Sequence, residues 1–479
     1  MSALIGRGLE QKILLDAFDK ESSQMVAVFG RRRVGKTYLI KQTFAKLDFE
    51  FTGVLGGSTE IQLANFKKQL AFFSKKSEAV LKVNSWFEAF NELQKYLKTI
   101  KRKGKKIVFI DELPWLDTPK SNMISALGYF WNSYASFEDN VMFIICGSAA
   151  SWMIKKIVND RGGLHNRITK RLYVEPFTLH QTALFLKKRQ INLDYYQIAQ
   201  IYMVMGGIPH YLNEVKQGLS AIQNIDKICF DKKGLLHTEF VNLYASLFDN
   251  YSTHLLVVKA LVSKWKGMTR LEILAHSKIS DGGTLTNVLN ELELSSFVAI
   301  TYPYGKLKKD KLYRLCDFYS CFYLKFLHEK SYAGKNIFAT LVTKPSYGVW
   351  SGYAFQNLCY AHINQIEKAI GIHAIYTQHG SYVGKPKANE VLSGFQIDML
   401  ISRADNIINI CEIKYANAPY VLTKDYAEKL RTKMYGFKNS SKCNGHVLLV
   451  MITTYGIVPN MHTIGFVENS VILSQLFEA

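Results

Sequence analysis

A glycine-rich loop with one lysine and one threonine is the stretch of this sequence best suited to chemistry. It follows the apolar run Gln24–Phe29, which predicts a buried strand, and it precedes residues with helical character. In a strand, loop and helix of this kind, backbone N–H groups face phosphate oxygens and the helix adds the positive end of its dipole. The lysine then reaches the terminal phosphates, and the threonine offers its hydroxyl to magnesium. The residues predicted to bind nucleotide phosphates in this way are Gly30, Arg31, Arg32, Arg33, Val34, Gly35, Lys36, Thr37 and Tyr38.

Two adjacent acids, Asp111 and Glu112, end a second apolar run, which reads KKIVFIDELP. They lie at the carboxyl end of a predicted buried strand, where open α/β sheets bind ligands. Asp111 is expected to hold magnesium through water, and Glu112 to orient and deprotonate the attacking water. Ser148 follows a third apolar run, Val141–Cys146, and is expected to sense the γ-phosphate. These residues predict ATP and Mg²⁺ as cofactors and ATP hydrolysis as the reaction, with two solvated acids at a surface strand end as the alternative.

A second group of acids lies near the carboxyl terminus of the chain. The predicted strand FQIDMLI carries Asp398, and the following strand NIINICEIK carries Glu412 and Lys414. Because residues two apart share a face of a strand, Glu412 and Lys414 point the same way, and Asp398 on the neighbouring strand is placed to join them. Two carboxylates and a lysine form a magnesium site beside a cation that steadies the attacking water. The alternative is an ion pair between Asp398 and Lys414 at a sheet edge.

The whole chain sets limits on these sites. With 479 residues it is too long for one core and is expected to divide into two to four domains. A net charge of +21 predicts attraction to polyanions, so nucleic acid, and DNA in particular, is the expected partner. The alternative is a surface that is rich in lysine without a binding role.

The apolar runs, the amino terminus and the cysteines indicate where the protein is located and whether it carries a membrane span, a disulfide or a metal site. The longest apolar runs are strand-sized and too short for a membrane span, and the amino terminus lacks the apolar core of a signal peptide, so we expect a cytoplasmic protein without a membrane partner. The seven cysteines show neither metal-ligand spacing nor a disulfide pattern, which indicates reduced thiols.

Between the two predicted sites, residues 216–335 have the pattern of a winged helix. Helical spacing at His254–Trp265, Met268–Ile279 and Leu285–Leu294 precedes two short strands with the basic loop Gly305–Lys311 between them. The third helix offers polar residues to bases but no lysine or arginine, and its acids Glu291 and Glu293 are expected to face phosphates. Contact with DNA and docking of a partner protein therefore both remain open for this region.

The motifs in the first 215 residues resemble those of the prokaryotic ATPase family of the AAA+/STAND type. The resemblance is carried by FGRRRVGKT, VFIDELPWL, IICGSAASWM and GGIPHYL, and by Ile5-Gly6-Arg7, which matches the adenine-side box. It implies an α/β fold, namely an AAA+-like P-loop NTPase with a parallel sheet, and a helical lid within residues 1–215. It also implies that Arg167 completes an active site, with Arg161 and Arg171 as neighbouring candidates. Whether Arg167 acts within one chain or across an oligomer interface stays open.

Residues 336–479 resemble the PD-(D/E)xK nuclease fold, a restriction-endonuclease-like α/β domain. The resemblance assigns Asp398, Glu412 and Lys414 to the central positions, where active members cut DNA with a metal ion. Two positions depart from the active pattern, because Gln356 and Gln396 stand where glutamate and a second acid are frequent. The sequence therefore supports two functions: an ATPase that controls a nuclease, and a STAND-like regulatory ATPase whose nuclease fold is used only for binding.

Overall fold

The computed structural model describes residues 4–159, 162–305, 308–330, 332, 334–384, 394–441, 443 and 445–479. The chain divides into two compact units. One comprises Met1–Pro176 with Leu243–Tyr251, and the other Phe177–Asn242 with Ser252–Ala479. No helix in the described ranges is long and apolar enough to cross a membrane.

The first unit is built on a parallel sheet. Its strands are β1 (Gln24–Phe29), β2 (Phe49–Thr52), β3 (Lys106–Asp111), β4 (Val141–Gly147) and β5 (Lys170–Tyr173), and its helices are α1 (Gly8–Phe18), α2 (Lys36–Thr43), α3 (Thr59–Ser74), α4 (Trp86–Thr99), α5 (Met123–Ser133) and α6 (Ala150–Trp152), the last continued by a π-helix over Met153–Val158. Every residue of β1, β3 and β4 is buried, as expected for parallel strands covered on both faces.

The strand order places the predicted catalytic motifs side by side. The sheet runs β2-β3-β4-β1-β5, and all neighbouring strands are parallel. β4 therefore lies between the strand that precedes the glycine-rich loop and the strand that ends in Asp111. Because the strands are parallel, their carboxyl ends meet at one edge, and an aromatic core that includes Phe66, Trp86 and Phe143 holds the sheet against the helices. This is an α/β fold with the parallel sheet typical of P-loop ATPases.

The second unit begins with helices and a small antiparallel ribbon. Its helices up to the ribbon are α7 (Leu179–Lys188), α8 (Tyr195–Met205), α9 (Pro209–Leu212), α10 (Ala221–Ile225), α11 (Leu235–Ala245), α12 (Tyr251–Val262), α13 (Arg270–Ser277) and α14 (Gly283–Leu294), followed by β6 (Val298–Thr301) and β7 (Leu312–Leu315). β6 and β7 pair antiparallel, and Met268 bridges to Tyr313 beside them. Three helices and a ribbon thus lie where the residue spacing predicted them.

The remainder of the second unit contains a mixed five-stranded sheet. Its elements are α15 (Phe318–Phe326), α16 (Ile337–Leu341), α17 (Pro345–Ala361), α18 (Ile363–Ala369), β8 (Thr377–Gly384), β9 (Phe395–Arg403), β10 (Ile407–Lys414), α19 (Lys424–Ser441), β11 (His446–Thr453) and β12 (Asn469–Ile472). The order is β12-β11-β10-β9-β8, with β9 antiparallel to both neighbours and β10, β11 and β12 parallel. Both β9 and β10 are therefore interior strands rather than edge strands.

Side chains of β10 alternate between two helices. Ile408 and Ile410 pack in a core with Leu430 and other residues of α19, whereas Cys411 lies near Cys359 of α17. Continuing the alternation puts Glu412 and Lys414 on the side of α19. The mixed sheet thus has α19 on one face and α17 on the other.

The helical segment that follows residue 176 packs within the second unit. The Leu179 N–H donates to His362 Nε2 at 2.9 Å, and the Tyr196 ring stacks on Tyr415 at 5.3 Å between centroids. The Phe177 N–H also donates to the Gly207 carbonyl at 2.7 Å. These contacts explain why the compact units divide at residue 176, whereas the boundaries expected at residues 215 and 335 stay predictions.

Candidate functional site

The glycine-rich loop turns sharply because three of its residues adopt positive φ angles. These are Gly30 at 146°, Arg33 at 70° and Gly35 at 91°. A Cβ atom on Gly30 would lie 2.3 Å from the Val174 carbonyl oxygen, so only glycine fits there. The loop therefore closes over the end of β1 before α2 begins at Lys36.

Lys36 holds its ammonium group inside this loop. Its Nζ donates to the carbonyl oxygens of Gly30 and Arg31, each at 3.0 Å, and the residue is 6% exposed. The positive charge thus lies at the amino-terminal end of α2, where the backbone N–H groups of the first turn and the helix dipole also favour an anion. The arrangement suits phosphate, to which the lysine can transfer its hydrogen bonds.

The Thr37 hydroxyl and the Asp111 carboxylate meet across the end of the sheet. Thr37 Oγ1 donates to Asp111 Oδ2 at 2.6 Å, and the Glu112 N–H donates to Asp111 Oδ1 at 3.0 Å. A hydroxyl and a carboxylate oxygen are the hard ligands that Mg²⁺ takes from protein, with water and phosphate completing its shell. These two residues therefore fit a magnesium ion.

Glu112 is fixed in place by backbone and side chain. Its φ angle of 47° turns the chain out of β3 into a short 3₁₀ segment, Leu113–Leu116. Its Oε2 accepts the Ser148 hydroxyl at 2.7 Å and the Ser148 N–H at 3.1 Å. A carboxylate oriented by two donors next to the predicted metal ligand is well placed to act as a general base.

Cys146 and Arg7 also belong to this site, although sequence reasoning did not identify their contacts. Burial raises the pKa of the Cys146 thiol, and the neighbouring charge of Asp111 raises it further, so this side chain stays neutral. The Arg7 guanidinium is buried and donates to the Val34 carbonyl at 3.0 Å, which ties the amino-terminal segment to the loop. In the sequence, the only indication that this thiol lies in the site was that Cys146 comes two residues before Ser148.

Other predicted residues of this region lie apart from the cluster. Arg167 lies in the turn that precedes β5 with its side chain exposed, and Arg171 donates to the Val158 carbonyl at 3.3 Å. Arg161 lies outside the described residues. Tyr38 is 52% exposed on α2. The structure thus brings together Lys36, Thr37, Asp111, Glu112 and Ser148, and it does not bring Arg167 to them.

The carboxyl-terminal group of charges is centred on Glu412, which is 2% exposed. Lys414 Nζ donates to Glu412 Oε1 at 2.8 Å, and Lys433 Nζ donates to Oε2 at 3.2 Å. The Tyr426 hydroxyl also donates to Oε1 and accepts from Lys414 at 2.6 Å. Lys414 therefore pairs with Glu412 and not with Asp398, and both carboxylate oxygens of Glu412 already accept an ammonium group.

Asp398 lies beside this group on β9. The register pairs Met399 with Cys411 and Leu400 with Ile410, so Asp398 falls opposite Glu412. Burial raises the pKa of Asp398, as does the charge of Glu412, against the lowering effect of Lys433, Lys414 and Lys266. For Glu412 burial acts in the same direction, but the ammonium groups of Lys414 and Lys433 outweigh it and lower the pKa.

Both carboxylate oxygens of Glu412 accept ammonium groups in this arrangement, and the magnesium site predicted at Asp398 and Glu412 stays a prediction. Among the described residues, no cluster of three or more histidine, cysteine, aspartate or glutamate side chains could hold a metal ion. Gln356, at a position where active members often carry glutamate, donates its amide to the Asp398 backbone carbonyl at 2.8 Å and thus has a structural contact. Gln396 lies on β9 and adds no charge.

The residues predicted to meet bases and phosphates lie on α14, in the region of α12, α13, α14, β6 and β7 that is called the three-helix region below. Glu291, expected to face phosphates, instead lies 2.9 Å from the ring of buried His254. Thr286, Asn287 and Asn290 are exposed on α14. Residues 306–307 of the basic loop lie outside the described part of the chain.

Comparison with known proteins concerns the part of the chain that contains the first of the two sites. Residues 4–215 match a family described as an ATPase domain predominantly from Archaea. The uncharacterized protein MJECL04 of Methanocaldococcus jannaschii is 24% identical over 369 residues, which cover 76% of this chain and 78% of that protein. The chain therefore carries an archaeal-type ATPase domain over residues 4–215, and such a domain implies nucleotide binding.

Two solved structures resemble the chain more distantly. The Walker-type ATPase paby2304 of Pyrococcus abyssi aligns with a TM-score of 0.48 and 15% identity, covering 67% of this chain and 96% of that one. The ORC2 protein of Aeropyrum pernix, solved as ADPNP and ADP complexes, aligns with a TM-score of 0.41 and 15% identity, covering 72% and 96%. Neither likeness bears on substrate or partner.

Proposed function

We propose that the chain binds ATP with Mg²⁺ at the glycine-rich loop and hydrolyses it. The observation that carries this proposal is the meeting of Lys36, Thr37, Asp111, Glu112 and Ser148 at one edge of the parallel sheet. Each group has a different task in phosphoryl transfer to water, and no other described part of the chain assembles such a set.

The residues divide this work according to their contacts. Lys36 exchanges the loop carbonyls for phosphate oxygens and so keeps its hydrogen bonds when nucleotide enters. Thr37 and Asp111 would hold magnesium, which neutralises charge on the phosphates. Glu112, oriented by the two donors of Ser148, accepts a proton from the attacking water. Ser148 also lies where it can detect loss of the terminal phosphate through Glu112.

Three variants test the assignment. Lys36→Ala is expected to lose ATP binding, because the loop loses its only ammonium group near the phosphates. Glu112→Gln is expected to keep binding and lose hydrolysis. Lys41→Ala is the matched control, since Lys41 lies on the same helix but pairs with Glu50 at 2.8 Å.

Binding is measured with a fluorescent ATP analogue, and turnover by phosphate release. Wild-type affinity in Lys36→Ala, or wild-type turnover in Glu112→Gln, would refute the assignment.

Arg167 is proposed to complete the ATPase site across an interface between two copies of the chain. The proposal rests on the resemblance and on the exposed position of Arg167 outside the cluster. Specific activity should then rise with protein concentration and fall in Arg167→Ala. Lys156→Ala, which removes a positive charge from another exposed position of the first unit, serves as the control. Activity that does not depend on concentration would show that the site is complete within one chain.

For the second unit we propose a regulatory role, in which a nuclease-like fold binds DNA without cutting it and the three-helix region docks on DNA or on a partner protein. The sheet order with β9 antiparallel, and the net charge of +21, support a nuclease-like fold that meets DNA. The lysines on both oxygens of Glu412 favour binding over magnesium-dependent cleavage.

Cleavage by Asp398, Glu412 and Lys414 is the competing function, because these residues lie on two neighbouring interior strands of one sheet. It is tested by incubating linear and circular DNA with the protein, ATP and Mg²⁺ or Mn²⁺, beside Asp398→Ala. Products from the wild type alone would establish a nuclease, whereas intact DNA in both samples supports the regulatory role.

A further inference from the structure

The carboxyl-terminal charge group contains more cations than anions. Asp398 and Glu412 are surrounded by Lys414 of β10, Lys433 of α19 and Lys266 of the turn between α12 and α13. With both acids ionised, three lysines leave a local charge of about +1. A magnesium site has the opposite balance, with carboxylates in excess so that the divalent ion is neutralised.

The lysines also retain hydrogen-bond donors. An ammonium group has three, of which the described contacts use two on Lys414 and one on Lys433. The side chains of Lys414 and Lys433 are 26% and 23% exposed, whereas the side chain of Glu412 is 3% exposed. The buried Glu412 carboxylate therefore holds two ammonium groups in place. These groups keep N–H donors that can bind an anion from solvent.

The third lysine is positioned by an aromatic contact. Trp265 stacks on Tyr353 of α17 with 5.9 Å between ring centroids and 8° between ring planes. The same helix carries Gln356, which donates to the Asp398 carbonyl. Lys266 is exposed in this turn and its charge acts on Asp398. The three-helix region thus contributes a cation to the charge group of the mixed sheet.

From this geometry we propose that Lys433 occupies the place that a metal ion takes beside paired carboxylates, and that Lys433, Lys414 and Lys266 bind one phosphate of a DNA backbone without any metal. The ligand is a phosphodiester anion, which three ammonium groups can contact directly. This inference rests on the proposed interaction with DNA and specifies which lysines contact the phosphate. Glu412 is in this view a positioning residue that orders the lysines.

The experiment measures binding of the full chain to a fluorescein-labelled DNA duplex by anisotropy, in EDTA and in Mg²⁺, over a range of salt concentrations. Binding should be equally tight in EDTA. Lys433→Ala should weaken it about tenfold and reduce the slope of log affinity against log salt by about one, since one phosphate contact is lost.

Lys438→Ala is the matched control, because it removes the same charge from an exposed position on the same helix. Its affinity should stay near that of the wild type. A wild-type thermal unfolding midpoint, followed by the fluorescence of Trp350 in the second unit, confirms that each variant has folded.

The possible results distinguish a failure of the metal-free phosphate site from a failure of the proposed DNA interaction. Binding that requires Mg²⁺, or equal affinity in Lys433→Ala and wild type, would overturn the metal-free site and leave the DNA interaction standing. Absence of binding by the wild type in every condition would overturn both. As a second measurement, a Mn²⁺ titration in an Asp111→Ala background should show no bound ion. If the Asp111→Ala variant does bind Mn²⁺, and this binding disappears when Asp398→Ala is added, the proposal is contradicted.

Discussion

Acidification should destabilise the second unit through the buried side chain of His362. Its ring accepts the Leu179 N–H at Nε2, and its Nδ1 donates to the Leu358 carbonyl, both at 2.9 Å. Only the neutral ring can make both bonds, because a protonated Nε2 cannot accept. Burial lowers the pKa of His362 from 6.5 to about 4, with the bond to Leu358 acting weakly the other way.

The sign and size of the effect follow from this pKa. The unfolded chain takes up a proton below pH 6.5 while the folded chain does not, so stability is complete above that pH and declines as the pH falls toward 4. Linkage gives a loss of about 1 kcal/mol between about pH 7.5 and about pH 5.5, and of about 3 kcal/mol once the pH is below both values.

The assay compares urea unfolding of wild type and His362→Gln at those two pH values, followed by fluorescence of the buried Trp350 and its fellow tryptophans. Glutamine keeps an acceptor for the Leu179 N–H but does not titrate, so the difference in unfolding free energy between the two pH values should shrink by about 1 kcal/mol in the variant. His446→Gln, at an exposed position, should leave the difference unchanged. An equal pH dependence in wild type and His362→Gln would refute the reasoning.

Three further substitutions test the nucleotide site of the first unit and the helix packing of the second. Gly30→Ala places a Cβ atom 2.3 Å from the Val174 carbonyl oxygen, so the loop must move, and affinity for a fluorescent ATP analogue should fall at least about tenfold; unchanged affinity would show that the loop tolerates the shift. Ser148→Ala removes the 2.7 Å hydroxyl bond to Glu112, and kcat for ATP should fall about tenfold while nucleotide affinity holds, because orientation of the base is lost; a matching loss of affinity would point to a direct phosphate contact instead. Gly207→Ala brings a Cβ atom within 1.9 Å of a backbone carbonyl oxygen and should cost about 3 kcal/mol, seen as a lower thermal midpoint, whereas a wild-type midpoint would contradict the close packing.

Part of the nucleotide site was predictable because its residues are contiguous. The loop from Gly30 to Thr37 lies between one strand and one helix, so its conformation depends on local sequence and on glycine at positive φ. Asp111 and Glu112 were predictable because an apolar run that ends in acids has few other interpretations. The contact of Cys146 with Asp111 was not, because it joins two strands of the sheet, and the bond from Arg7 to the Val34 carbonyl was not, because it joins segments 27 residues apart.

The sequence by itself determined which segments form strands and helices, which loop suits phosphates and which acids suit a metal, since these properties follow from neighbouring residues. Only the tertiary structure decided which side chains meet. The insertion of β4 between β1 and β3 brings Ser148 to Glu112, and the docking of α19 brings Lys433 to Glu412, over separations of 36 and 21 residues. Strand order and helix docking depend on burial summed over whole faces, so no single stretch of sequence encodes them.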